Sequence, residues 1–282
     1  MVDHRHEKLI SLSMLAVLSI FAFLALFPVL SLLVASLSPA TDLMRHGLSP
    51  ELFFSKFDFQ NYVAIFTTEA GDRYWDWYLN SVIVSSILIA LSLLFSSMVG
   101  YALAMYEFPG KRIIFILVLL VMMIPFEIMM LPLFQLVITL GLVDTYFGTV
   151  LPLLVAPVAV FFFRQYSLGL PREVMEAARV DGCTEFGIFF RIMVPLMLPS
   201  FAAMAIFQGL ISWNNFLWPL LVLRSNDMFT LPIGLATLLT PYGNNYQILF
   251  AGALLSIVPI VILFLCFQRF FIAGLTSGSV KG

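Results

Sequence analysis

The chain has 282 residues, of which 61% are hydrophobic and 11% charged, with a formal net charge of −2 and a mean hydropathy of +1.03. Soluble domains carry about 25% charged residues, so these figures exclude one and make lipid the solvent for most of the chain. The small negative charge also argues against nucleic acid as a partner, and the two cysteines, Cys183 and Cys266, supply no disulfide framework.

Apolar runs separated by short polar intervals predict one all-α integral membrane domain over residues 1–282, with six transmembrane helices. The first span covers about 9–37, behind a short polar start with Arg5 and Lys8. It is longer than a leader core, and Ser38-Pro39-Ala40 is a poor cleavage context, so it reads as an uncleaved span whose amino terminus lies inside. Residues 38–78 follow, with Asp42, Glu51, Asp58, Glu69, Asp72 and Asp76 against Arg45, Lys56 and Arg73, an acidic balance that belongs outside. Within this interval 57–66 predicts a short amphipathic helix, and Tyr74, Trp75, Trp77 and Tyr78 an aromatic belt at the membrane boundary.

The second span, about 79–106, carries Ser85, Ser86, Ser92, Ser96, Ser97 and Gly100, a density of small residues that marks close helix packing. The tight turn at 107–112 ends in Lys111 and Arg112 and belongs inside. The third span, about 113–134, is interrupted by Pro125 and Pro132, which predicts a kinked helix beside a cavity. Glu127 between the two prolines is either a functional acid in that cavity or a plain solvent-facing one. Residues 141–145 turn the chain outside, and the fourth span, about 146–166, contains Pro152 and Pro157 and ends in Arg164 and Gln165.

Residues 170–195 are the one long charged segment between two apolar spans that carries helix punctuation at both ends. Pro171 suits a first helical turn and Gly182 the left-handed residue that ends one. Val174, Ala177 and Ala178 fall on one small apolar face, with Arg172, Glu173, Glu176 and Arg179 around it. A second helix is capped by Thr184, carries a stripe of Phe186, Phe189, Phe190 and Met193, and stops at Pro195. The pair predicts a helix–turn–helix ledge. The fifth span, about 196–223, holds Gln208, Trp213, Asn214 and Asn215, and amides in hydrocarbon must bond either to another helix or to a polar solute. A second outer loop at 224–247, a sixth span at about 247–268 and a tail at 269–282 complete the chain. Arg5, Lys8, Lys111, Arg112, Arg164, Arg172, Arg179, Arg191, Arg269 and Lys281 fall inside on this layout, and Arg45, Lys56, Arg73 and Arg224 outside.

Four segments carry a family resemblance. Glu176-Ala177-Ala178 followed by Gly182 resembles the EAA loop of ABC-importer permeases, with Cys183 where the family often has Ala. The Glu107-Phe108-Pro109-Gly110-Lys111-Arg112 turn, the Trp213-Asn214-Asn215-Phe216-Leu217-Trp218-Pro219 stretch and the tail from Gly274 to Gly282 are similar to those of carbohydrate-uptake, MalG-like, binding-protein-dependent permeases. The resemblance spans essentially the whole chain. It implies that Glu176, Ala177, Ala178, Asp181, Gly182 and Phe186 couple to an ATP-hydrolysing subunit, and that Gly278, Ser279, Val280, Lys281 and Gly282 reach between two such subunits. The implied partners are a second permease subunit, two ATP-binding subunits and an extracytoplasmic solute-binding protein that the 224–247 loop meets. The implied location is a bacterial or archaeal cytoplasmic membrane with both termini inside.

The chain itself has no G-x-x-x-x-G-K-[ST] loop, so ATP and Mg are expected in the partners and no cofactor here. His4, His6 and His46 lie outside the spans, which leaves no metal or Ser–His arrangement in the membrane, and no enzyme activity is expected. Glu127, Gln135, Gln208, Trp213, Asn214 and Asn215 are the groups placed to touch a hydroxylated solute, with interhelical hydrogen bonding as their alternative role. The other function class is a channel or secondary carrier whose internal loop is only structural. Mid-span charges of the kind a proton relay needs are missing.

Overall fold

The computed structural model of the protein describes residues 4–39, 57–240 and 243–277. Among these, three helical stretches are long and apolar enough to cross a membrane unbroken: Ile10–Ser36 within α1 (His4–Ser36), α3 (Glu69–Met105), and Tyr246–Arg269, formed by α13 (Tyr246–Leu255) running into α14 (Ile257–Ser277). Three further candidates are bent pairs. The first pair, α4 (Lys111–Met122) and α5 (Phe126–Thr139), meets at 105°. The second joins α6 (Tyr146–Val150) and its 3-10 turn Leu151–Leu153 to α7 (Pro157–Leu168) at 46°. In the third, Glu185–Leu196 (α9) meets α10 (Leu198–Trp213) at 79°. Short helices complete the list: α2 (Gln60–Thr67), α8 (Arg172–Val180), α11 (Leu217–Val222) and α12 (Leu231–Thr237). The one departure from an all-helical chain among the described residues is a pair of two-residue antiparallel strands, Leu239–Thr240 and Gly243–Asn244.

The breaks have local causes. A residue before proline is pushed out of the helical region, and Ala156, before Pro157, has ψ 119° while Pro125 itself is extended at ψ 133°. Pro132 stays inside α5. The third span is therefore not the single kinked helix expected over 113–134: it turns through more than a right angle at one proline and ignores the other. The fifth, expected to run unbroken over 196–223, stops at Asn214 and restarts as α11. The second starts earlier than expected, because α3 is 37 residues long, about 55 Å at 1.5 Å per residue, and outruns a hydrocarbon core of about 30 Å.

The chain forms two compact units, one with Met1–Tyr74 and Leu235–Ile257, the other with Trp75–Gly234 and Val258–Gly282. In the first, Asn61 is buried and donates from Nδ2 to the carbonyls of Ser36 and Ser38, both at 2.9 Å, so that α2 satisfies acceptors left open at the end of α1. Ser36 and Tyr62 share a hydroxyl hydrogen bond of 2.8 Å beside it, and the Tyr74 hydroxyl donates to the Gly252 carbonyl on α13 at 3.0 Å.

The second unit is built on α3. Its buried serines Ser85, Ser92 and Ser96 lie along the helix and meet polar groups from other helices. Ser212 donates to Ser85 at 3.1 Å, Gln208 to Ser92 at 2.7 Å, and the Ala156 N–H to Ser96 at 3.2 Å, where the α6–α7 break has freed it. Close packing was the expectation for this span; Ser86 alone of the group is exposed. At Gly100 a Cβ would stand 2.7 Å from the Phe163 Cβ and 2.8 Å from both the Arg164 nitrogen and the Val160 oxygen, so α3 and α7 cross backbone to backbone there. The expected aromatic belt divides. Trp75 is half-exposed, but Tyr74 and Trp77 are buried inside their units, Trp77 with its indole N–H on Asn226 (2.9 Å to Oδ1).

At the α5–α6 turn, Asp144 has φ 60°, a left-handed conformation that Asp tolerates. Its carboxylate accepts from the backbone N–H groups of Arg224 (2.8 Å) and Ser225 (3.1 Å), and its own N–H donates to the Val222 carbonyl at 2.9 Å. Partial burial works against the charged form, yet these donors and the Ser225 hydroxyl hold the carboxyl below its ordinary range.

Candidate functional site

The ledge begins at Pro171 and its first helix ends in a Schellman motif. Gly182 has φ 80°, its N–H bonds the Arg179 carbonyl and the Cys183 N–H bonds the Ala178 carbonyl, both at 3.0 Å. No atom lies within 4 Å of where a Gly182 Cβ would be, so the position demands a backbone conformation rather than space. Thr184 caps the second helix by accepting from the Gly187 N–H at 3.1 Å. From Phe189 to Met193 that helix widens into a π-helical turn. Ile188, Phe189, Met193 and Met197 face inward, while Phe186 and Phe190, four residues apart on one face, stay exposed. The expected stripe of Phe186, Phe189, Phe190 and Met193 is thus split.

Inward, the ledge rests on a sizeable core. Met175 and Ala178 of α8 are buried together with Ile188, Phe189, Met193 and Met197, against Tyr101 and Ala104 of α3, Phe163 of α7 and Met204 of α10. The small apolar face expected from Val174, Ala177 and Ala178 is divided accordingly: Ala178 packs inside, and Val174 and Ala177 remain outside with Glu176, Asp181 and Gly182. Polar contacts then tie the ledge to the end of α3. Arg179 grips Glu185 with two bonds, 2.7 and 3.1 Å, and Glu185 also accepts from the Tyr106 hydroxyl. Lys111 donates to the Tyr106 carbonyl at 2.8 Å and Arg172 to the Ala104 carbonyl at 3.4 Å, placing cations on the open acceptors of a helix C-terminus. The hydrogen bond and charge of Lys111 hold the Glu107 carboxyl below its usual range. Phe186 stands over a groove of about 220 Å³ beside Tyr101, Tyr106 and Phe189. What projects is a polar, charged helix packed on a buried apolar base.

The second feature is a cavity of about 630 Å³ in the same unit. Three breaks in the helices converge on its wall: Phe126 and Glu127 after the α4–α5 break, Val155 and Ala156 in the α6–α7 break, and Asn214, Asn215 and Phe216 between α10 and α11. Irregular backbone at membrane depth is tolerated where it lines such a space. Trp218 closes one side; it is fully buried, meets Phe126 edge-to-face at 6.0 Å and donates from Nε1 to the Thr149 carbonyl at 3.0 Å. Gln208, with its amide nitrogen held by Ser92, stands ten residues into α10, about 15 Å along the helix from its start.

Of the six candidate path residues, Glu127, Gln208, Asn214 and Asn215 share this cavity. Trp213 does not line it. It is buried on another side, edge-on to Tyr78 at 5.7 Å and beside a smaller groove with Ser85 and Leu263. Gln135 is exposed on α5 and also lies off it. Phe126, Phe207, Phe216 and Trp218 also line the cavity, though the sequence did not place them in the path; for Phe126, Phe216 and Trp218 their position beside helix breaks was the available signal. The tail residues Gly278, Ser279, Val280, Lys281 and Gly282 lie outside the described residues. Ledge and cavity share their supports. α7 runs from Pro157 in the cavity wall to Phe163 in the ledge core, and α10 from Met204 in that core to Gln208 in the wall.

Residues 94–277 match the family model described as the binding-protein-dependent transport system inner membrane component. The arabinooligosaccharides transport system permease protein AraQ of Halalkalibacterium halodurans is 67% identical over 261 residues, 93% of each chain. AraQ of Bacillus subtilis is 54% identical over 281 residues, 99% of each chain, and the lactose transport system permease protein LacG of Rhizobium radiobacter 34% identical over 267 residues, 94% of each. Among solved structures, a chain of a bacterial ABC transporter involved in the import of the acidic polysaccharide alginate superposes with a TM-score of 0.81, over 96% of this chain and 99% of that one. At 22% identity that likeness speaks for a shared fold.

Proposed function

Because the chain belongs to the family of binding-protein-dependent transport system inner membrane components, a permease and not an enzyme, we propose that it forms half of the path of an ATP-driven importer for an oligosaccharide or related polyhydroxylated solute. Family membership sets aside the channel and secondary-carrier readings. The proposed layout has six crossings, counting each bent pair as one, with both termini and the ledge cytoplasmic and the Asp144 clamp outside. A second permease subunit would complete the path, two ATP-binding subunits would supply ATP and Mg, and a solute-binding protein would deliver cargo to the 224–247 loop. Arabinooligosaccharides are the cargo class favoured by the two AraQ relatives.

One observation carries the mechanism: the ledge and the cavity wall are borne by the same helices. ATP-binding subunits that prefer one spacing of the two ledges shift the permease toward the conformation that fits it, and only by the size of that preference. The ledge is proposed to move as a block because its two helices share one buried core with α3, α7 and α10, and Arg179–Glu185 joins them to each other. Glu176, Ala177, Asp181, Gly182 and Phe186 are its outward contacts, and Ala178 its inward anchor.

Cys183 is exposed in the ledge turn and, once the other exposed thiol is removed by Cys266→Ser, reports the layout by itself. A membrane-impermeant maleimide should leave it unlabelled in intact cells and label it in inverted vesicles stripped of peripheral subunits, and restoring the ATP-binding subunits should protect it. Labelling from outside intact cells would overturn the proposed topology.

A further inference from the structure

We infer that the cavity is a charge filter: it accepts uncharged polyhydroxylated solutes and disfavours anionic ones, with Glu127 as the discriminating residue. The inference rests on the proposed role of the cavity as part of the path and narrows its substrate class. Four polar side chains line the space, the carboxylate of Glu127 and the amides of Gln208, Asn214 and Asn215. The amides can donate to and accept from sugar hydroxyls and the carboxylate can accept from them, while Phe126 and Phe216 add apolar surface that a sugar ring can cover.

No lysine, arginine or histidine is present among the lining residues. The arginines of the flanking helices are turned to other tasks, Arg164 with its guanidinium 3.7 Å over the Phe115 ring and Arg224 at 5.5 Å from that of Phe134. A phosphate or uronate entering this space would lose water, find no cation among the residues this chain contributes, and meet the Glu127 side chain exposed to the space. A neutral sugar also loses water, but the amides can replace those hydrogen bonds and it carries no charge to leave uncompensated. Selection by charge here acts after, and independently of, whatever a solute-binding protein selects.

The test uses the assembled importer in membrane vesicles, with Cys183 and Cys266 replaced by serine and a single cysteine at position 215, or at 211 as a second placement. Three methanethiosulfonate reagents of similar size, cationic, neutral and anionic, are compared by rate of reaction and by block of neutral-oligosaccharide uptake. The expected result is block by the neutral reagent and a cationic-to-anionic rate ratio at least tenfold above that of free thiol, which Glu127→Gln brings back toward the free-thiol ratio. Absence of block at both placements would remove the cavity from the path and the inference with it. Block together with a free-thiol rate ratio, or with a raised ratio that Glu127→Gln leaves unchanged, would overturn the charge filter alone.

Discussion

Gly182→Val should reduce ATP-dependent uptake at least tenfold while the protein still inserts and accumulates in the membrane. At φ 80° a side chain costs about 1–2 kcal/mol, more for a β-branched one, and no nearby atom adds to or relieves that cost. The chain escapes the strain by unwinding the Schellman motif, which releases the Ala178 and Arg179 carbonyls and lets the two ledge helices swing apart. Insertion depends on the apolar spans and is untouched, so the defect should appear as loss of copurifying ATP-binding subunits. Gly182→Asn separates backbone conformation from side-chain volume: asparagine tolerates the left-handed region and should retain most of the uptake. If the Asn and Val substitutions were equally damaging, the ledge would be reading the size of residue 182 and not its conformation.

Trp218→Ala has the largest expected effect on stability, a loss of about 3–5 kcal/mol as for other fully buried aromatic truncations. It removes the ring that braces Phe126 and leaves the Thr149 carbonyl without its indole donor, so two of the helix breaks around the cavity lose a shared strut. Trp218→Phe keeps one ring against Phe126 but gives up the hydrogen bond and part of the buried indole volume, an expected loss of about 1–3 kcal/mol. Thermal unfolding in detergent should therefore rank wild type above Phe and Phe above Ala. Equal unfolding of all three would mean that the cavity wall does not depend on this residue.

Local chemistry made much of the ledge legible in the sequence. A proline ahead of a polar helix, a glycine at its end and a threonine before the next are signals whose consequences lie within four residues, and each appears where expected. The serines of α3 were legible for a similar reason, since small hydroxyl residues inside a long apolar helix have few uses besides packing against another helix. What failed was direction. Pro125 announces a break but not a 105° turn, and that turn sends Gln135 to the outside of α5. Trp213 and Trp218 belong to one motif in the sequence, yet the irregular residues between them aim one toward Tyr78 and the other toward Phe126. On the ledge, Phe186 and Phe190 share an exposed face while Phe189 and Met193 turn inward, a division that apolar character alone did not reveal. Tyr74 and Trp77 show the converse error: an aromatic run beside a span was read as a boundary belt, whereas both rings sit in cores assembled from residues more than a hundred positions away.

The central claim is that the ledge seats on a separate ATP-hydrolysing subunit. The most direct measurement is a photo-crosslinking residue in place of Val180, whose side chain is 88% exposed on the outer face of the ledge, in the fully assembled importer. The account predicts a covalent adduct with an ATP-binding subunit that changes in yield when a nonhydrolysable ATP analogue is added. An adduct formed only with lipid or with the solute-binding protein would contradict it.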